Sequence, residues 1–280
     1  MSVNVSGILL SLMAALTWGS ADFSGGFATR RSDQYQTLAY SALSGVVLLA
    51  LGAALWGESF PRCGSLLWAV GAGVCGSVGL SAFYLALSLG NTPAVASSVA
   101  VIGAGMPVLF NLFLQGLPRP SIMVGILAAL IGIWMVTRPA SPARRITRKE
   151  ALLAMLAGTF FGGFFILISR SEPEKVFTPL IVARLVMLIV AILMLIARRR
   201  ALPQLQFNPI ALLAGALDAC GNIFFLLARQ FTRLDVAVVL SSFYPVATIF
   251  LAAFLLKEKA SRWQWLGTAL CIVAVALISR

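Results

Sequence analysis

The stretch ALSLGNTPAVASSVAV, Ala86–Val101, decides how this chain is read, because it has a counterpart later in the sequence. ARQFTRLDVAVVLSSF, Ala228–Phe243, lies over it without a gap at an offset of 142. The same register carries Ala86–Arg138 onto Ala228–Arg280, with Gly125 on Gly267 and Arg138 on Arg280. Few residues are identical. The breaks between apolar runs and the lengths of the runs are what coincide. Near the start of each half, LTWGS (Leu16–Ser20) matches TFFGG (Thr159–Gly163) at an offset of 143. Weak internal symmetry over this length points to two structural repeats.

The repeated units are membrane spans. Of the 280 residues, 60% are hydrophobic and only 11% charged. A soluble domain carries about 25% charged residues. A spanning helix needs about 20 mostly apolar residues. Such runs occupy residues 7–29, 36–56, 66–90, 94–115 and 121–137, then 151–169, 178–197, 209–229, 236–256 and 263–279. Within lipid, a segment that satisfies its own backbone is a helix. The ten-residue alternating segments of a membrane β-barrel are absent from the sequence. The first run has no basic segment before it, since the first arginine is Arg30, and it reads as a retained span rather than a signal peptide.

The expected fold is therefore all-α and integral to the membrane, with ten transmembrane helices in two five-helix repeats. The first repeat covers 1–137 and the second 151–280. They are joined by a linker, 138–150, which lies within RPASPARRITRKE, Arg138–Glu150. An odd number of spans per repeat makes the second repeat enter from the opposite side. That is an inverted repeat, with a binding site expected near the midplane between the halves.

The net charge of +12 does not signal nucleic acid. The 21 Lys and Arg residues gather at span ends, as in Arg30-Arg31 and Arg198-Arg199-Arg200, where they meet headgroups. Loops after odd-numbered spans hold 13 of them, against seven in the even-numbered loops and termini. Without the linker the balance is eight against seven, so charge alone leaves the orientation open. There is no histidine, which removes His-based catalysis and His metal ligation. Cys63, Cys75, Cys220 and Cys271 have no CxxC spacing. The glycine-containing run Gly71–Gly79 lacks the Gly-Lys-Ser/Thr ending of a phosphate loop and suits close helix packing instead. No cofactor or metal is expected. All four lysines, Lys149, Lys175, Lys257 and Lys259, lie between runs, so no lysine is placed for a retinal Schiff base.

Three charges stand well inside apolar runs: Asp22, Arg184 and Asp218. A charge at the bilayer centre costs about 2.5–3.5 kcal/mol on insertion scales, so such residues face protein or water and have partners. Asp218 has Asn222 four residues on, hence on the same helix face. It reads as a substrate-amine or proton site, or as a hydrogen bond between helices. Asp22 has Trp18 one turn away and reads as a cavity carboxylate beside an aromatic wall, or as a lock between helices. Arg184, about seven residues into its span, reads as snorkelling to the headgroups or as a structural ion pair, with Asp218 on the next span one candidate partner. Weaker candidates are Ser98 beside Ser97, and Ser242 and Tyr244 beside Ser241, with routine packing of hydroxyls between transmembrane helices as the other reading. Pro245 follows Tyr244 and removes a helix hydrogen bond there, and a broken helix beside hydroxyls suits a midplane site. Tyr84, with Trp18, Phe160, Phe161 and Tyr244, reads as an aromatic cavity lining, or as lipid-facing or core residues.

The chain resembles the ten-span drug/metabolite transporter superfamily, specifically its EamA-like members. The resemblance rests on TWGSADFSGGFATRR (Thr17–Arg31), FYLALSLGNTPAVASSVAVIGAGMPV (Phe83–Val108) and FLLARQFTRLDVAVVLSSFYPVATIFLAAFLLKEKASRWQWLG (Phe225–Gly267). It implies a central cavity lined by spans 1, 3, 4, 6, 8 and 9, peripheral spans 5 and 10, and movement of small metabolites, often export. The family usually has an acidic residue just after spans 4 and 9. Here Glu258 stands in the second position and Gly116 in the first; if that acid serves a gate, the resemblance implies two gates that are not equivalent.

The expected function is a secondary transporter of the cell (inner) membrane, not an enzyme. It would export an amino acid-like or amphipathic drug-like compound by alternating access, with protonation of Asp22 or Asp218 as the coupling step. An uncoupled exchanger or channel is the alternative, and an intramembrane enzyme the remote one. The expected partners are a small-molecule substrate, the bilayer and protons, with the chain a monomer or homodimer.

Overall fold

The computed structural model describes residues 4–28, 34–89, 92–138, 147–200, 208–255 and 261–279, and every regular element among them is an α-helix. In chain order these are α1 (Val5–Ala28), α2 (Gln34–Trp56), α3 (Cys63–Ser88), α4 (Thr92–Gln115), α5 (Pro120–Val136) and α6 (Arg148–Ile168). They continue with α7 (Phe177–Ala197), α8 (Pro209–Phe231), α9 (Leu234–Ser241), α10 (Tyr244–Leu255) and α11 (Arg262–Ile278). Seven of them, α1 to α4 and α6 to α8, are long and apolar enough to cross a membrane. Pro120–Val136, Leu234–Ala247 and Arg262–Ile278 are shorter apolar stretches.

The ninth apolar run is two helices. α9 stops at Ser241 and α10 resumes at Tyr244, immediately before Pro245. Proline has no N–H to give, and its ring crowds the carbonyl four residues back. The chain passes the break through shorter bonds, Phe243 N–H to the Leu240 carbonyl at 3.2 Å and Val246 N–H to the Phe243 carbonyl at 2.9 Å. α9 itself is buried along its whole length.

The outer faces are apolar. On α7, Leu185, Ile189, Leu193 and Ile196 form one exposed stripe at helical spacing. Such surface in water would cost about 25 cal/mol per Å², whereas acyl chains accept it.

Inside the bundle, α1 packs on α8, α9 and α10, while α6 packs on α3 and α4. α2 meets α7 and α8, α3 meets α7, α4 meets α9, and α5 meets α11. Small residues set the closest approaches. A Cβ on Gly73 of α3 would stand 2.7 Å from the Ala183 carbonyl of α7. Gly215 of α8 abuts the Ser41 carbonyl of α2 in the same way. In the α5–α11 contact, Cβ atoms on Gly132 and Gly125 would lie 3.0 and 3.1 Å from the carbonyls of Gly267 and Ala274.

One end of the bundle is tied by hydrogen bonds between distant loops. The Glu58 carboxylate, between α2 and α3, accepts from the N–H groups of Val176 (3.0 Å), Phe177 (3.2 Å) and Thr178 (2.7 Å) and from the Thr178 hydroxyl (2.7 Å). α7 has no cap of its own at that end, so Glu58 supplies one from elsewhere in the chain. Lys175 Nζ donates to the Ser59 and Phe60 carbonyls at 2.8 and 2.7 Å. The Arg62 N–H donates to Glu172 Oε1 at 2.8 Å. At the same end Arg229 donates to the Ser169 carbonyl, and Gly7 at the start of α1 lies against Thr232. Arg233, paired with fully buried Asp235 at 3.0 Å, also donates to the Gly116 carbonyl at 3.0 Å. Gly116 has φ of +72°, the left-handed conformation that ends α4.

Candidate functional site: a lone carboxylate on the inner face of α1

The exposed apolar residues of α1 are Val5, Leu9, Met13 and Leu16, one stripe at helical spacing. Ser11, Ala14, Ala15, Trp18 and Ala21 are buried. At 100° per residue, Asp22 lies about 40° from Trp18 and about 140° from the centre of the apolar stripe. It is thus on the inner face, yet it is exposed. An exposed side chain on an inward face lines open space within the bundle. Gly7, Ile8 and Ser11, toward the tied end, are buried, so that space belongs to the opposite half of α1. No described residue gives the Asp22 carboxylate a hydrogen bond or ion pair. Tyr244, first residue after the break, lies within electrostatic range of it.

Trp18 does not join that open space. It is 8% exposed and wedged between helices. Its indole N–H donates to the Asp218 carbonyl at 3.3 Å. Its ring meets Phe165 of α6 and Phe225 of α8 at centroid separations of 5.6 and 6.0 Å. Gly221 faces the indole directly, and a Cβ there would collide with it. Trp18 is therefore the bolt between α1, α6 and α8, on which the position of Asp22 one turn away depends.

Asp218 and Arg184 resolve each other. Arg184 Nη2 is ion-paired with Asp218 Oδ2, and the Arg184 side chain is 6% exposed. Snorkelling, one of the two readings of Arg184, is thereby corrected. The guanidinium turns inward because a carboxylate is within reach on α8 and because Gly45 of α2 leaves it room, 3.4 Å from where a Cβ would stand. Asn222 shares the face with Asp218 as its spacing required. Its Nδ2 donates to the Asp218 carbonyl at 2.7 Å and to Asp218 Oδ2 at 3.3 Å. Asn222 Oδ1 is buried without a partner. Asp218 is thus engaged on two sides, while Asp22 is engaged on none among the described residues.

The remaining candidates are spread out. Ser242 is buried at the helix break, and its hydroxyl donates to the Val238 carbonyl at 2.7 Å. Ser241 beside it is fully buried with Oγ unpartnered. Ser98 is half-buried in α4 and has a partner. Tyr84 belongs to α3, but its side chain, like the whole of Glu258, lies outside the described residues. Among the described residues no cluster of three His, Cys, Asp or Glu side chains could hold a metal ion. Sequence reasoning missed Glu58 and Glu172 altogether. The available signal was that VFTPL opens an apolar run with no capping side chain before it, while the loop GESFPR offers an acid.

Comparison with known proteins agrees with this architecture. The chain is 27% identical over 286 residues to the uncharacterized transporter YwfM of Bacillus subtilis (strain 168), covering 97% of this chain and 93% of that one. One solved crystal structure superimposes with a TM-score of 0.75 at 20% identity, covering 98% of this chain and 96% of the other, which speaks to the fold alone. The sequence model of the EamA-like transporter family matches twice, over residues 5–138 and 148–280. With nearly its whole length so matched, the chain belongs to the EamA-like transporter family and is a multi-pass membrane transporter.

Proposed function

We propose that this transporter moves a small molecule by alternating access between two inverted five-helix halves, 1–137 and 151–280, about a cavity into which Asp22 projects. The inverted relation is supported by contacts that exchange under the sequence offset of 142. Gly73 on Ala183 becomes Gly215 on Ser41, and Gly132 on Gly267 becomes Ala274 on Gly125. The helix pairings exchange as well: α1 with α8 answers α6 with α3, and α2 with α8 answers α7 with α3. The double match of the family model over the two halves supports the same division.

The observation that carries the mechanism is an asymmetry between the ends. At one end, loops of the two halves are tied through Glu58, Lys175 and Arg233. Toward the other, an inward-facing carboxylate is open. A cavity closed at one mouth and open at the other is one half of an alternating-access cycle. Of the two aspartates proposed for proton coupling, Asp22 is the better suited, because Asp218 is held by Arg184 and Asn222. Export is the direction that the resemblance implies.

The test is release from proteoliposomes loaded with a mixed metabolite pool, read by mass spectrometry with and without a pH gradient. Selective, saturable, gradient-dependent release that Asp22→Asn loses and Asp218→Asn retains in the folded fraction supports the proposal. Non-saturable leakage of many solutes would favour a channel, and gradient-independent release an uncoupled exchanger.

A further inference from the structure

The charge balance of the interior narrows the substrate. Asp218 and Arg184 cancel. Asp235 cancels Arg233. Glu150, fully buried at the start of α6, accepts from the Thr147 N–H at 2.8 Å and the Thr147 hydroxyl at 2.7 Å within the capping box of that helix. Arg229, at the last turn of α8, keeps its positive charge but holds it at the tied end, where it donates to the Ser169 carbonyl. What is left facing the open space, among the described residues, is a single negative charge at Asp22.

A cavity with low-dielectric walls focuses the field of such a charge on whatever enters. We infer that the substrate is an organic monocation with an apolar or aromatic body, its ammonium or guanidinium group set against Asp22. This inference rests on the transporter reading above. An anion would meet like charge. A zwitterionic amino acid would bring in a carboxylate as well, and the basic group that could receive it, Arg184, is already committed to Asp218. Tyr244, within electrostatic range of Asp22, brings an aromatic side chain to the same region. The site therefore selects against the amino acid-like compounds included in the sequence-based expectation.

Three probes share one aromatic body and differ only in charge: phenethylamine (cation), phenylalanine (zwitterion) and 3-phenylpropionate (anion). Their binding to the purified protein is measured by isothermal calorimetry, and their saturable uptake in proteoliposomes. Phenethylamine is expected to bind at least tenfold more tightly than the other two. Asp22→Asn removes that preference, and Asp22→Glu, which restores the charge, keeps it. Thermal melts confirm that each variant is folded. Preference for the zwitterion or the anion, or cation binding that survives Asp22→Asn unchanged, overturns the inference. So does the absence of phenethylamine binding. Saturable transport of either of the other probes would sink the monocation assignment while leaving the transporter reading intact. The pooled-release assay judges that reading separately.

Discussion

At the scale of single residues, the three intramembrane charges have two fates: Arg184 and Asp218 pair with each other, and Asp22 stays open. A sequence shows that each charge is costly but not who shares the cost. Asp22, Arg184 and Asp218 were all visible as charges in apolar runs. That Arg184 reaches Asp218 depends on how α7, α8 and the notch at Gly45 of α2 meet, which no spacing within one helix encodes. The Asp218–Asn222 contact was legible because it lies within one turn of one helix. The ion pair is buried on the arginine side, so removing one partner strands the other. Asp218→Leu, which strands the buried Arg184 guanidinium, is expected to destabilise the folded protein by about 3–5 kcal/mol. The double variant Arg184→Met/Asp218→Leu should recover most of that loss. Denaturant melts of the three proteins in one detergent check both statements, and a double variant no better than the single would refute the pair.

At the scale of elements, two helices carry marks of the mechanism. The break between α9 and α10 was foreseeable at Pro245, because a missing N–H is a local property. Pro245→Ala supplies a donor for the Ser241 carbonyl and should make the helix continuous. Slower hydrogen exchange of residues 242–246 is the expected readout, together with reduced turnover if the break works as a hinge. The cap of α7 by Glu58 was not foreseeable, since the two lie more than a hundred residues apart. Partial burial pushes the Glu58 carboxyl up, but the hydrogen bonds from Thr178, Val176 and Phe177 outweigh it and hold it below its ordinary 4.5. A carboxyl lowered by folding stabilises the fold above its unfolded value and loses that effect as pH falls through the folded one. Wild type should therefore lose stability below about pH 4.5 more steeply than Glu58→Gln. Removing the acceptor outright, in Glu58→Ala, should cost about 1–3 kcal/mol. It should also shift the population away from the state in which this end is closed. Equal pH profiles for wild type and Glu58→Gln would show that the carboxylate is not what ties the loops.

At the scale of the whole molecule, the all-helical membrane class was legible because apolar runs and short breaks are properties of composition and order. Run lengths suggested the proposed repeat, but the packing that supports it was not legible. That Gly73 and Gly215 occupy exchanged positions against Ala183 and Ser41 appears only once the helices are assembled. If the halves are equivalent structural units, equivalent lesions should cost alike. Gly73→Val and Gly215→Val are each expected to destabilise by at least the 1–3 kcal/mol typical of overpacking, and by similar amounts. Widely different costs would argue that the two halves carry the load unequally.

Asp22 is proposed to face an aqueous cavity reached from one side while the opposite mouth is tied. The most direct measurement is labelling of single cysteines by a membrane-impermeant thiol reagent, applied to either side of oriented vesicles. The background lacks Cys75, Cys220 and Cys271. Cys63, exposed at the tied end, reports that side, and Asp22→Cys in a background also lacking Cys63 reports the cavity. Cys63 is expected to label from one side and position 22 from the other, with substrate slowing only the second reaction. Labelling of position 22 from the Cys63 side, or from neither, would contradict it.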